Sequence, residues 1–178
     1  MMQLLESGGI ALLTDGQRAP NMHNPAGYFE YERVKQLPAD HGWMGEAQGR
    51  AIKVVAPLLQ FLPMQWTYKV IFMERDLEEV VASQGKMLED STFQPMDGAT
   101  LLSTLADQVR VAKQSLERLW ADVLTVNYRQ LVSEPEVVVP KLRSFLKLGA
   151  EFDPDVYRVD TALYRNRRSG YSTVESAC

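Results

Sequence analysis

Residues 68–73, Tyr-Lys-Val-Ile-Phe-Met, form a short apolar run rich in β-branched and aromatic side chains, and Glu74-Arg75-Asp76 ends it abruptly. Beyond the break, Leu77, Val80, Val81 and Gln84 recur at three- and four-residue spacing. The first pattern predicts a parallel strand buried on both faces, the second an amphipathic helix. Asp76 is a natural N-cap for that helix, and Glu79 occupies the capping-box position three residues on. Arg75 is thereby predicted to lie in a tight crossover at the carboxyl end of a strand, where open α/β sheets bind their ligands. Ser83 falls about two turns farther along the helix.

The rest of the chain extends this alternation. Residues 1–9 read as the last turns of a helix ended by glycine, with no start signal ahead of it. Ile10–Leu13 is a brief apolar segment, and residues 17–26, with Pro20, Asn21, Asn24 and Pro25, read as a surface loop. Aromatic residues then alternate with acids over 28–32, ahead of a short helix at Val34–Leu37. Ala51–Pro57 predicts another buried strand, closed by Pro57, and 58–66 a connection into the strand at 68–73. After a polar loop at 89–99, Thr100–Asp122 predicts the clearest helix, with Leu101, Leu105, Val109, Ala112, Leu116, Leu119 and Trp120 on one core-facing stripe. Val123–Tyr128 reads as a further strand. Ser133 and Glu136 form a capping box opening a helix to Lys147, with Gly149 closing it. Residues 169–178 are predicted to fray. The whole predicts an α/β chain, a mostly parallel sheet with helices on both faces, in one domain over 1–178.

Composition changes this picture little: 46% of the 178 residues are apolar, 24% are charged, and the net charge is −4. No basic excess points to nucleic acid, and no acidic tail points to disorder. The single cysteine, Cys178, excludes an intrachain disulfide and a thiolate metal cluster. There is no signal peptide and no apolar run long enough to span a membrane, so a cytoplasmic protein without membrane partners is the expectation.

An arginine fork and a hydroxyl on one strand–helix frame, Arg75 and Ser83, suit a phosphate dianion; a surface arginine and a neutral helix serine are the alternative. Glu30 is the first candidate general base and Glu32 the second, provided burial raises the carboxyl towards neutrality. A capping or solvated acid is the competing reading. His23, in the same loop, is a lesser candidate base, and neither it nor His41 has metal-ligand spacing. Lys53 lies within a predicted strand, an unusual place because burying an ammonium unpaired is costly; reaching an edge is the plain reading. Tyr128 suits a purine edge or a core position equally well. Arg165, Arg167 and Arg168 make a basic cluster that either closes over phosphates or is solvated. The phosphate-loop signature G-x-x-x-x-G-K-S/T of nucleotide-dependent kinases is absent.

Four segments in order, TDGxR from Thr14, NPxGYFEYE from Asn24, KVVAPLL from Lys53 and FMxRDLxEVxASQxKML from Phe72, resemble a bacterial branch of the sulfotransferases. The resemblance covers Leu12–Leu88 and continues at the strand-Tyr-x-x-Leu of Tyr128. It implies a P-loop NTPase-like three-layer fold and 3′-phosphoadenosine-5′-phosphosulfate as sulfuryl donor, with no metal. It also implies Arg75 and Ser83 on the 3′-phosphate, Tyr128 by the adenine, Lys53 near the transferring group and Arg165 and Arg167 over the phosphates. The acceptor would be a small molecule or glycan bearing a hydroxyl or amine. In that family the first helix follows a strand and a Pro-Arg-Ser-Gly-Thr-type loop that cradles the 5′-phosphosulfate. Both would precede Met1, so the expectation is an N-terminally incomplete domain whose sheet lacks its first strand and phosphate loop. Such a sheet leaves unpaired edges and favours homodimers. A degenerate, non-catalytic nucleotide binder and a small-molecule kinase-like protein are the alternatives.

Overall fold

The computed structural model describes residues 1–20, 24, 27–88, 97–150 and 152. Helix α1 (Met2–Ser7) is followed by irregular chain and three 3-10 turns at Glu32–Gln36, Met44–Ala47 and Ala56–Phe61. Strand β1 (Lys69–Glu74) then leads into helix α2 (Leu77–Leu88). The long helix α3 (Gly98–Arg118) follows, then strand β2 (Asp122–Asn127), α4 (Tyr128–Ser133) and α5 (Pro135–Leu146). The strands run parallel, in register from Lys69 opposite Asp122 to Glu74 opposite Asn127. The chain is therefore α/β, with a two-stranded parallel sheet among the described residues.

Side-chain alternation along β1 divides the core in two. Val70 and Phe72 pack with Leu59, Ala112, Leu116 and Leu119, from the 56–61 turn, α3 and the residue that caps it. Ile71 and Met73 pack on the other side with Leu4 of α1, Leu131 of α4, and Val138, Val139 and Leu142 of α5. Both faces of β1 are thus covered by helical layers, as its continuous apolar sequence requires. The two strands meet α2 and α4 at their carboxyl ends, so Arg75 and Tyr128 emerge beside each other directly after paired residues Glu74 and Asn127.

Several sequence expectations are corrected. Residues 51–57 do not form a strand: Ala51 makes one isolated parallel bridge to Leu12, and Pro57 sits at the start of a 3-10 turn. A β-branched run becomes a strand only where a neighbour supplies its ladder, and among the described residues none lies beside 52–55. Tyr128 opens α4 instead of ending β2, because the Asn127 side chain accepts the Gln130 N–H at 3.1 Å and caps a helix there. Helix α3 stops at Arg118, so Trp120 leaves the core stripe: it turns through a left-handed φ of 51° before β2 and its ring is exposed. The Ser133 hydroxyl donates to the Arg129 carbonyl, so α5 starts at Pro135 and ends at a left-handed Lys147, two residues before Gly149. No described helix is long and apolar enough to cross a membrane.

Candidate functional site

The loop between β1 and α2 is fixed by Asp76. Its Oδ1 accepts the backbone N–H groups of Glu78 at 2.9 Å and Glu79 at 3.3 Å, satisfying donors of the first helical turn. That cap holds the preceding residue, Arg75, at the strand's carboxyl end. The Arg75 guanidinium carbon lies 4.8 Å from the centroid of the Tyr128 ring, a cation–π contact joining the two strand ends. Its Nε is buried without a hydrogen-bond partner, 4.0 Å from the Glu79 carboxylate.

Arg75 and Tyr128 line a cavity of about 1720 Å³ that also reaches Lys53. The cavity is lined by Val70, Ile71, Phe72 and Met73 of β1, with Ile52 and Val54 among its other walls. Its lining is mixed, more apolar than polar, with cationic residues at Arg50, Lys53, Lys69 and Arg75 and an acid at Asp122. Such a setting strengthens the pull of a fixed cation on an anion.

A second cluster is built by the segment 28–32. Lys53 Nζ donates to the Tyr28 carbonyl at 3.0 Å and to Glu30 Oε1 at 3.3 Å. Arg18 donates to the same Glu30 oxygen at 3.2 Å, and its guanidinium stacks 3.5 Å from the buried Tyr28 ring. Glu30 is thus a half-buried carboxylate bridged by two cations, and Lys53 is a tethered ammonium, partly exposed and outside any ladder. Glu32 faces away into an ion pair with Lys35 at 2.8 Å. Asp15 accepts the backbone N–H groups of Glu32 and, to a smaller effect, Gln17, which holds its carboxyl below the usual carboxylate range and ties the 14–18 turn to this segment.

The structure therefore brings Arg75, Tyr128 and Lys53 to one cavity and places Glu30 beside Lys53. Ser83 lies on α2 one turn beyond Glu79 and is not part of the cavity lining. His41 bonds the Phe61 carbonyl at 2.9 Å, a contact that ties two turns together. His23, Arg165, Arg167 and Arg168 lie outside the described residues. Arg18 and Glu79 complete these clusters, and neither stood out as a site residue in the sequence. The signal for Arg18 was its place in the Thr-Asp-Gly-x-Arg segment; for Glu79 it was an acid four residues after Arg75. No family model, curated protein or solved structure matches the chain.

Proposed function

We propose that the chain is a sulfotransferase-like protein that binds the adenosine 3′,5′-bisphosphate part of 3′-phosphoadenosine-5′-phosphosulfate. The observation carrying this reading is the convergence of Arg75 and Tyr128 on one cavity at the carboxyl ends of parallel strands. The fit of donor to residues rests on the partly exposed Arg75 guanidinium that lines the cavity, on the Tyr128 ring beside it and on a lining that is more apolar than polar. In this reading the sheet belongs to a P-loop NTPase-like three-layer fold, and the slot along β1 is the position of a further parallel strand. Arg75 engages the 3′-phosphate and Tyr128 packs at the adenine, while Ser83, outside the cavity lining, has no part in this reading. Lys53 stabilises negative charge on the oxygen released when the S–O bond breaks. Glu30 holds Lys53 in place and takes the acceptor's proton as the new bond to sulfur forms.

A non-catalytic nucleotide binder is the second reading, favoured by the engagement of Glu30 with two cations. Transfer of labelled sulfate from the donor to a panel of phenols, amines and glycans separates the two. Sulfuryl transfer that falls roughly 100-fold in Lys53→Ala supports the enzyme. Binding of the donor with no transfer to any acceptor assigns the second reading, and no binding at all rejects both.

A further inference from the structure

We propose that Glu79 is a positioning residue that sets the direction from which Arg75 meets an anion; this rests on the reading of Arg75 as the phosphate-binding group. The two side chains form an ion pair at 4.0 Å across one turn, and they differ sharply in burial: the Glu79 side chain is 7% exposed and that of Arg75 31%. The Arg75 Nε is fully covered, so the exposure of this side chain lies on its other atoms. Arg75 lines the cavity and Glu79 does not. The carboxylate therefore attracts the Nε edge from the helix side, while the Tyr128 ring holds the flat face. A planar guanidinium fixed on one edge and one face has a single orientation for its remaining donors, which is what bidentate recognition of a phosphate requires.

The backbone supplies the rest of the device. Asp76 accepts the N–H of Glu79 itself, so the cap that starts α2 also fixes where the Glu79 side chain begins. A carboxylate at this place has a further effect: it balances the charge of a partly buried arginine whenever no anion is present. The sequence marks this position as a capping-box acid; the structure shows the Asp76 half of that box and sets the Glu79 carboxylate beside Arg75.

The test compares affinities for adenosine 3′,5′-bisphosphate and adenosine 5′-monophosphate, whose ratio reads the 3′-phosphate contact and is insensitive to a general loss of stability. Glu79→Gln keeps the shape and removes the charge. It is expected to lower the ratio roughly tenfold, the scale on which loss of an orienting partner is felt at a ligand site. In the ligand-free protein, nitrogen NMR of the Arg75 Nε–H supplies a second readout: slow hydrogen exchange in the wild type and faster exchange in Glu79→Gln. If Glu79→Gln keeps the wild-type ratio while Arg75→Ala abolishes it, the positioning role is wrong and the phosphate reading stands. If the wild type itself binds both nucleotides equally, the phosphate reading fails and takes the positioning role with it.

Discussion

Replacing Asp76 with alanine tests the link between helix capping and the site. The Asp76 carboxylate accepts two backbone N–H groups, at 2.9 and 3.3 Å, and no other side chain of the loop takes both over. The first bond has good length and lies at the exposed helix start; the second is longer. Together they place the loss at the centre of the range for an N-cap, about 1 kcal/mol. For a chain of this size that is a fall in melting temperature of roughly 2–4 °C. Asp76→Asn keeps the acceptor and is expected to recover most of the loss, short by the few tenths of a kcal/mol that a negative charge adds at a helix N-terminus. Melting followed by far-ultraviolet circular dichroism reads both variants. An unchanged melting temperature in Asp76→Ala would refute the capping argument. So would a loss in Asp76→Asn as large as in Asp76→Ala, since that would make charge rather than geometry the cause.

Three further outcomes follow from the packing and the titrating groups. Leu142, fully buried in α5 against the second face of β1, is expected to cost about 2–5 kcal/mol on truncation to alanine, read by urea unfolding. Asp15 has a depressed folded-state pKa, so its contribution is complete above the unfolded value of about 3.9 and is lost as pH falls through the lower folded value. Asp15→Asn is expected to flatten stability against pH in that acid window, and an unchanged slope there would count against the bonds to Gln17 and Glu32. Tyr68 donates to the Pro63 carbonyl at 2.7 Å and burial pushes it up to about 12. Its neutral form stabilises the fold below the unfolded value of about 10, and that contribution disappears as pH rises through the folded value. Phenolate absorbance should show one tyrosine titrating last, and Tyr68→Phe should remove that component.

The parts of the fold legible in the sequence are those where local pattern and tertiary demand agree. Residues 69–74 form a strand because a parallel neighbour and two covering layers exist for it, and the Asp76 cap follows from side-chain chemistry alone. The run at 51–57 is likewise rich in β-branched residues, yet its fate depends on a ladder partner that no local pattern reports. Tyr128 was misplaced by one element because Asn127, read as a strand residue, caps a helix. At the site, Arg75 was legible from its position after a strand. The approach of Arg18 to Glu30 was not, because it joins residues twelve apart through a turn whose geometry is set by Asp15. Lys53 is out of place in a buried strand; its tether to Tyr28 and Glu30, outside any ladder, holds the ammonium without burying a charge unpaired.

The most direct test is a calorimetric titration of the wild type and of Arg75→Ala with adenosine 3′,5′-bisphosphate at fixed low salt. The account predicts saturable binding by the wild type and an affinity at least tenfold weaker in the variant, the loss of a charge-assisted hydrogen-bonding group. Equal affinity in the two proteins, or no binding by the wild type, would contradict it.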